Sequence, residues 1–254
     1  SMCMFALHYF FENSKTLHSF LKNISECTRL NGYFIGTCFD GSKIFEFLYK
    51  RQNGTLIQKD ESVRIDKNGR KMFEITKLYD TNIEEFKPDE SSIGMPIRVY
   101  QESIDKPFME YLVHFEYFVQ LMENYGFILV DKNEIRSMGF YESSGLFNRL
   151  YGYMTKEIEK DPNEKLEYRD APYMTSFEKT VSFMNRYFIF KKVRDLSQTT
   201  LNQMENIIED NNEIEAILDE KIKQEDYDSE PKKRQKLKIS KLKLDQYSPD
   251  EENE

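Results

Sequence analysis

Two apolar runs close to the N-terminus, residues 2–7 and 33–39, flank a segment whose hydrophobic positions recur with helical spacing. Neither run alternates apolar with polar residues, a pattern typical of parallel strands covered on both faces. Asn13 or Ser14 can cap the intervening helix at its start. Asn31-Gly32 can adopt the left-handed backbone conformation that commonly ends a helix. The order strand, helix, strand therefore predicts a βαβ unit. The apolar face of its helix comprises Leu17, Phe20, Leu21, Ile24 and Thr28.

Polar and aromatic side chains follow both predicted strands. His8 and Tyr9 come at the end of the first strand, and Phe39 and Asp40 at the end of the second. Ligands of open α/β sheets bind beyond the carboxyl ends of such strands. We therefore expect a site where these four residues meet.

The rest of the chain continues with strands and helices. A short helix capped by Ser42 precedes two paired strands, Ser62–Ile65 and Lys71–Leu78, whose connection carries the hairpin signal Asp66–Gly69. Residues 81–95 have the composition of a loop, and residues 133–160 of an irregular helical region. Further strands are predicted at Ile97–Tyr100, Phe127–Val130 and Tyr187–Phe190, and one long helix at Phe108–Asn124.

These elements predict an α/β domain over residues 1–194 and a charged tail over residues 195–254. The tail has a few apolar positions at helical spacing between residues 201 and 218 and seven Lys or Arg residues between 231 and 243. Such a composition is typical of a segment without a core of its own. The basic run could bind RNA phosphates or act as a nuclear address, but a solvated charge run is the simpler interpretation.

Composition narrows the class of protein. The chain has 254 residues, 39% hydrophobic and 32% charged, with a net charge of −9. This charge disfavours non-specific nucleic-acid binding by the whole surface but leaves room for a local basic groove. Cys3, Cys27 and Cys38 indicate reduced cysteines of an intracellular protein rather than disulfides or a zinc site. Because no apolar run approaches the roughly 20 residues that span a bilayer, we expect no membrane partner.

Several candidate residues also have plain structural interpretations. His8 and Tyr9 could be core residues, and Asp40-Gly41 a simple turn. Glu110 could be a favourable charge at a helix N-terminus, worth about 0.3–1 kcal/mol. His18 and His114 fit surface or packing roles on helices.

Two segments together resemble the messenger RNA cap guanine-N7 methyltransferases. Residues 3–12, Cys-Met-Phe-Ala-Leu-His-Tyr-Phe-Phe-Glu, resemble the family's Phe-x-x-His-Tyr-x-Phe-Glu segment, and residues 32–37 match its Gly-Tyr-Phe-Ile-Gly-Thr. Residues 110–113, Glu-Tyr-Leu-Val, are similar to a further segment, and residues 187–192 to the closing strand. The resemblance covers residues 1 to about 193. The charged tail favours an origin of this chain in the capping enzyme of a large DNA virus.

The resemblance implies a fold and a set of partners. The fold is the C-terminal half of a class I, Rossmann-like methyltransferase sheet with an inserted β-hairpin. The methyl donor is S-adenosylmethionine and the acceptor a capped RNA 5′ end, with other capping-enzyme domains or subunits as partners. The expected location is the cytoplasm, in a viral factory, or the nucleus.

Roles at individual positions follow from the same resemblance. The Phe, His and Tyr of the family that correspond to Phe5, His8 and Tyr9 line the cap guanine pocket, and this Tyr also borders the methyl donor. The Glu matching Glu110 holds the guanine edge. A donor-contacting Gln is replaced by Met4, and a loop Pro by Phe39, which can still stack on the base. The cap-contacting Tyr of the last strand corresponds to Tyr187, or to Asn185 if no gap is allowed.

The implied chemistry requires no general base, because guanine N7 is unprotonated at neutral pH. Catalysis then consists of holding nitrogen, methyl carbon and sulfur in line. The family's Gly-rich donor-binding strand and turn precede the first matched segment and are absent from these 254 residues. We therefore expect the isolated chain to bind S-adenosylmethionine weakly or not at all, and to associate through the open edge of its first strand.

Two other interpretations remain open. The chain can be a non-catalytic cap-binding or stimulatory subunit that has kept the cap pocket, or it can belong to an enzyme that methylates a small molecule. Coding sequence upstream of Ser1 would distinguish the enzyme from the subunit.

Overall fold

The computed structural model describes residues 1–49, 54–204, 206 and 208. The chain divides into two units, residues 1–197 and 198–254, which are described separately. In the second unit, residues 198–204 are helical. The predicted basic run at residues 231–243 lies outside the described residues.

The first unit contains both strands and helices. The strands are β1 (Met2–Met4), β2 (Tyr33–Phe39), β3 (Ser62–Lys67), β4 (Arg70–Lys77), β5 (Pro96–Gln101), β6 (Lys106–Tyr111), β7 (Phe127–Leu129), β8 (Ser144–Leu146) and β9 (Asn185–Lys192). The helices are α1 (Leu7–Phe10), α2 (Ser14–Cys27), α3 (Gly41–Phe47), α4 (Phe115–Asn124), α5 (Lys132–Ser137), α6 (Phe147–Lys160) and α7 (Ser176–Ser182). Short 3-10 helices cover Glu90–Ser92, Pro162–Leu166 and Ala171–Tyr173.

The predicted βαβ unit is confirmed. β1 and β2 run parallel, with Met4 opposite Thr37. The Asn13 side chain caps α2 by accepting a hydrogen bond from the Thr16 backbone N–H at 2.8 Å. After α2 the chain turns through Asn31, whose φ of 61° lies in the left-handed region. The Asn13 cap thus places the start of this helix, whereas its end is not at the predicted Asn31: the helix ends at Cys27, and its C-cap Thr28 is extended.

The first sheet has the strand order β1-β2-β9-β7, and β8 also pairs with β9. β9 runs antiparallel to β2, which places Asn185 opposite Phe39 at the end where β2 terminates. Among the described strands, β1 pairs with β2 alone and lies at an edge of the sheet. The sheet packs through buried aromatic side chains, among them Phe34, Phe118, Phe188 and Phe190.

A second, wholly antiparallel sheet has the order β3-β4-β5-β6. The predicted hairpin is confirmed as β3 and β4, but the insertion is larger than one hairpin because β5 and β6 extend it. The buried face of this sheet packs with α3 in a core that includes Ile44, Phe45, Phe73, Ile75 and Ile97. This sheet provides one wall of the candidate site.

The prediction of one helix from Phe108 to Asn124 is wrong in its first half. Residues 106–111 form β6, and the helix begins only at Phe115. The apolar positions in this segment fit a helical period, but Phe108 pairs across the sheet with Val99. Pairing with β5, a contact between segments separated in sequence, overrides the local period. Glu110 therefore lies in a strand, opposite Ile97, rather than at a helix N-terminus.

Asp40 is more than a turn residue. Its side chain, rather than that of Ser42, caps α3 by accepting the Lys43 backbone N–H at 2.9 Å. Its other carboxylate oxygen accepts a hydrogen bond from Arg186 Nε at 2.6 Å. Asp40 thereby ties the end of β2 to β9.

The two helix-associated histidines are buried. His18 Nδ1 lies 3.0 Å from the Tyr125 hydroxyl, so its role is packing, as one of the two predicted alternatives stated. His114 precedes α4 and lies against the Phe86 ring, 4.7 Å between centroids. Among the cysteines, Cys3 and Cys38 are buried as expected, whereas Cys27 is exposed.

The described part of the chain contains no helix long and apolar enough to cross a membrane. Within the same residues, no group of three or more His, Cys, Asp or Glu side chains is arranged to hold a metal ion.

Candidate functional site

A cavity of about 750 Å³ lies in the first unit, with a lining drawn from both sheets. Five residues predicted from sequence line it: Phe5, His8, Tyr9, Phe39 and Glu110. Residues from the second sheet, from β9 of the first sheet and from α6 and α7 complete the walls. These further lining residues include Phe73, Gln101, Glu102, Ile104, Phe108, Phe147, Phe177, Glu178 and Asn185.

The backbone bends at Phe5, directly after β1. Phe5 adopts a φ of 52°, in the left-handed region that costs a residue with a Cβ atom about 1–2 kcal/mol. Its backbone N–H donates to the Thr37 carbonyl oxygen at 2.8 Å, which holds the bend against β2. Strained backbone of this kind concentrates at functional sites.

Because of this bend, the prediction that His8 and Tyr9 lie at the end of a strand is wrong. β1 ends at Met4, and both residues lie on α1 rather than at the end of a strand. α1 packs against β6, the strand that carries Glu110. The His8 and Tyr9 rings meet edge to face, with centroids 4.2 Å apart.

His8 and Glu110 form the polar centre of the cavity. His8 Nε2 lies 3.7 Å from Glu110 Oε2, which is too long for a hydrogen bond. Both residues are more than nine-tenths buried. Neither His8 ring nitrogen nor Glu110 Oε2 has a hydrogen-bond partner. Leaving a buried polar group unpaired costs about 1–3 kcal/mol, so these atoms are available to a ligand that supplies partners.

Burial shifts the protonation of this pair in opposite directions. It lowers the pKa of His8 to about 4, so the imidazole is neutral at physiological pH. It raises the pKa of Glu110 to about 7, so the carboxyl group is poised between its two forms. Burial, followed by the charge of Glu110, raises the pKa of the Tyr9 hydroxyl. Strong shifts within a cleft are typical of functional sites.

Two of the predicted site residues do not line the cavity. Met4 lies on the exposed edge strand β1. Tyr187 shares a face of β9 with Asn185 but lies two residues further along, where its hydroxyl donates to the Glu142 carbonyl oxygen. The structure thus brings Asn185, rather than Tyr187, to the cavity.

Some lining residues carried no signal in the sequence. Phe147 begins α6 and meets Phe5 edge to face, with centroids 6.2 Å apart. Phe177 comes from α7, and Gln101 and Ile104 from the β5–β6 connection. These residues reach the cavity through tertiary packing, which leaves no pattern in the sequence. Asn185 is the exception, because an ungapped alignment places it at the position of a cap-contacting residue of the family.

A second cavity of about 860 Å³ adjoins the first and shares Phe147 and Ser182 with it. Its lining is rich in tyrosine, including Tyr141 and Tyr153, whose rings stack at 4.1 Å. Among the described residues, no buried side-chain atom without a partner lies in this lining. The unpaired polar atoms of the first cavity therefore make it the candidate site.

Comparisons with known proteins agree with the resemblance found in the sequence. A family model described as the mRNA (guanine-N(7))-methyltransferase domain matches residues 1–206. A probable mRNA-capping enzyme of Acanthamoeba polyphaga mimivirus is 28% identical over 235 residues, which are 84% of this chain and 18% of that protein. An mRNA cap guanine-N(7) methyltransferase of Debaryomyces hansenii is 30% identical over 152 residues, 58% of this chain and 26% of that protein.

The chain thus spans about a fifth to a quarter of the length of these two relatives. The match to a mimivirus protein also agrees with the viral origin that the sequence favours. The mixed sheet and its helices are consistent with a Rossmann-like methyltransferase domain. Because the family model covers most of its length, the chain belongs to the mRNA (guanine-N(7))-methyltransferase domain family.

Proposed function

We propose that the cavity binds the guanine base of a capped RNA 5′ end, as the acceptor-binding part of an mRNA cap guanine-N7 methyltransferase. The observation that carries this proposal is the unpaired polar pair, His8 and Glu110, held between aromatic rings. A flat ligand with hydrogen-bond donors and an acceptor along one edge would satisfy that arrangement.

Guanine has such an edge. A Glu110 carboxylate can accept hydrogen bonds from the ring N1–H and from the exocyclic amino group. Neutral His8 has one N–H to donate, and the guanine O6 atom beside N1 is an acceptor. Adenine has no N–H at N1 and presents an amino group in place of O6. Glu110 is therefore the residue that selects guanine. Rings among Phe5, Tyr9 and Phe39 can stack on the two faces of the base, and stacking on a base contributes about 1–3 kcal/mol.

The chain's contribution to methyl transfer is to hold the base. The N7 lone pair is free at neutral pH, so no side chain has to remove a proton, and the rate is gained through proximity and orientation. S-adenosylmethionine, when bound, supplies a methyl group on a positively charged sulfur. Tyr9 fits a place beside it, since its ring lines the cavity and is still 44% exposed. Met4 is exposed on β1 and does not line the cavity, so its contact with the methyl donor stays a prediction.

Nucleotide titrations with Glu110 variants test the proposal. The chain should bind GTP more tightly than ATP, and Glu110→Ala should reduce that preference by about tenfold or more, because a charge-assisted hydrogen bond is lost. Glu116→Ala, an exposed glutamate on α4, is the matched control. An unchanged preference in Glu110→Ala would remove Glu110 from the recognition of guanine.

A second measurement separates the enzyme from a non-catalytic cap-binding subunit. The names of the family and of the relatives favour the enzyme. A longer protein containing this chain should transfer a methyl group to capped RNA, and this transfer should be lost in Glu110→Ala. Binding of capped RNA without any transfer would support the subunit. The expected weak binding of S-adenosylmethionine by the isolated chain stays a prediction, which micromolar affinity by calorimetric titration would refute.

A further inference from the structure

The second cavity, of about 860 Å³, is lined by a cluster of aromatic rings that stays open to solvent. Two of its rings, Phe140 and Tyr141, are 43% and 45% exposed. Cavities lined by aromatic side chains with a few polar groups are the usual form of a ligand site. Among the described residues, the aromatic members of the lining are Phe140, Tyr141, Phe147, Tyr151, Tyr153 and Tyr168.

Tyr141 is held in place as a surface for stacking. Its ring lies on that of Tyr153, with centroids 4.1 Å apart and planes inclined by 20°. Its hydroxyl donates to Glu157 Oε1 at 2.8 Å, and Lys160 Nζ donates to the same oxygen at 2.8 Å. A ring fixed in this way loses little conformational freedom when a ligand binds. Because nearly half of Tyr141 remains exposed, a further planar group can extend the stack.

The lining also includes a cation that is available to a ligand. Arg136 is exposed, and within the described part of the chain its guanidinium group has no ion pair or hydrogen bond. The carboxylate of the lining, Glu157, is already paired with Lys160. Planar ring faces beside an unpaired guanidinium group suit a nucleotide, whose base stacks and whose phosphate binds arginine. An apolar protein segment would use the rings but not the guanidinium group.

The position of this cavity indicates which nucleotide it takes. Phe147 and Ser182 line both cavities, and the Phe147 ring also meets that of Phe5. The two cavities therefore adjoin at Phe147. In a capped RNA a triphosphate bridge joins the guanosine to the first transcribed nucleotide, so a guanosine in the first cavity has its next base close by.

We propose that the second cavity binds the base of the first transcribed nucleotide of a capped RNA by stacking on Tyr141. This inference rests on the proposed function, because it takes the cap guanosine to occupy the first cavity. The part of the lining that the structure describes has no buried polar side-chain atom without a partner. Stacking alone does not distinguish one base from another, so this subsite accepts adenine and guanine equally.

The test compares GTP with the cap dinucleotides GpppA and GpppG. All three are titrated into the wild-type chain and into Tyr141→Ala. The variant should bind both dinucleotides about fivefold or more weakly than the wild type, because a stacking surface is lost, while its affinity for GTP is unchanged. In the wild type the affinities for GpppA and GpppG should agree within about twofold.

Two control variants separate the ring from other effects. Tyr141→Phe keeps the ring and should keep most of the affinity for both dinucleotides. Tyr173 is 67% exposed and lies outside the lining, so Tyr173→Ala should change none of the titrations. If Tyr141→Ala binds the dinucleotides as the wild type does, or weakens them and GTP by the same factor, the proposal is overturned. A clear preference of the wild type for one dinucleotide overturns the tolerance for different bases.

Photo-crosslinking tests the same contact without a variant, should Tyr141→Ala fail to fold. A cap dinucleotide that carries 8-azidoadenosine in place of adenosine is irradiated on the wild-type chain, and tryptic peptides are analysed by mass spectrometry. Trypsin cleaves after Arg136 and Arg149, so the peptide of residues 137–149 contains Tyr141. The label should lie in this peptide, at Phe140 or Tyr141. Label confined to peptides that do not line the second cavity would overturn the proposal.

Failure of this inference differs from failure of the proposed function. If the first cavity binds no guanine nucleotide, GTP does not bind and Glu110→Ala changes nothing. If only the stacking subsite is wrong, GTP still binds in a manner that depends on Glu110, and the dinucleotides gain nothing from Tyr141. The latter result is also the one expected if a protein segment occupies the ring cluster.

Discussion

Arg186 Nε lies 2.6 Å from Asp40 Oδ2, an ion pair between residues 146 positions apart. The Asp40 side chain is 4% exposed and that of Arg186 23%. The guanidinium group also lies over the Phe115 ring, 4.4 Å from its centroid. The pair joins the end of β2 to the start of β9, next to Phe39 and Asn185.

Asn in place of Asp40 should destabilise the chain. Removing one charge of a buried pair leaves the other uncompensated, which costs about 3 kcal/mol. Urea unfolding measures the loss. Asp66→Asn is the control, because the Arg64–Asp66 pair is about half exposed and should contribute less than about 1 kcal/mol. An equal decrease in the free energy of unfolding in the two variants would show that burial does not make the Asp40 pair more stabilising than an exposed pair.

Guanosine binding should depend on pH through Glu110. The free carboxyl group has a pKa of about 7, and only its ionised form accepts two hydrogen bonds from guanine. Affinity should therefore level off above pH 7 and fall by about tenfold per pH unit below it. Guanosine is the ligand of choice because it carries no phosphate that titrates in this range. Titrations between pH 5.5 and 8.5 measure the effect.

Glu110→Gln provides the control for that profile, since its amide does not titrate. Its affinity for guanosine should be constant over the same range. His8 does not interfere, because burial lowers its pKa to about 4. If the affinity of the wild type for guanosine did not change with pH, the Glu110 carboxylate would not be hydrogen-bonded to the base.

His18 should make the fold sensitive to acid. Burial lowers its pKa to about 4 in the folded chain, against 6.5 in its ordinary state. Because the folded pKa is the lower one, the stability it provides is fully present above pH 6.5 and is lost as the pH falls towards 4. The loss amounts to about 3 kcal/mol. His18→Gln should reduce the decline in the free energy of unfolding by that amount, as measured by urea unfolding at several pH values.

Tyr125→Phe is matched to His18→Gln. It removes the hydroxyl that lies 3.0 Å from His18 Nδ1 but leaves the imidazole buried. Stability at neutral pH should fall by about 1 kcal/mol, while the dependence on pH should persist. A similar pH dependence in the wild type and His18→Gln would exclude His18 as its source.

Gly36 should not tolerate a side chain. A Cβ atom there would lie 2.4 Å from the Cys3 carbonyl oxygen and 2.4 Å from Phe188 Cζ. Gly36→Ala should therefore lower the free energy of unfolding by about 1–3 kcal/mol or more. Gly152→Ala, on α6 with open space around it, should instead raise it by about 0.5–1 kcal/mol. Thermal unfolding of both variants checks the contrast, and an equally stable Gly36→Ala would contradict the packing of β2.

Much of the first sheet could be predicted because its signals are local. The Asn13 cap, the left-handed Asn31 and the two apolar runs belong to short segments whose structure follows from neighbouring residues. The hairpin at residues 62–77 was likewise predictable from its turn. β2 and the β3–β4 hairpin lie within two residues of their predicted bounds, whereas β1 ends at Met4, three residues before the end of the first apolar run.

The site was predictable only in part, because its geometry depends on contacts between distant segments. The sequence indicated His8 and Glu110, but the strand that carries Glu110 is formed by pairing with β5, which the helical period of residues 108–124 concealed. The Phe5 bend that turns His8 into the cavity depends on Thr37. Asn185 rather than Tyr187 lines the cavity, and the Tyr187 hydroxyl donates instead to the Glu142 carbonyl oxygen. None of these relationships has a local pattern.

The candidate cavity lies between two sheets that share no strand. Phe39 and Asn185 come from the mixed sheet, whereas Gln101 and Glu110 come from the antiparallel one. Substitutions in the β5–β6 hairpin can therefore change the Glu110 wall of the cavity without changing strand pairing in the mixed sheet. The wall that carries Phe39 and Asn185 lacks this freedom, because both residues are paired positions of the mixed sheet itself.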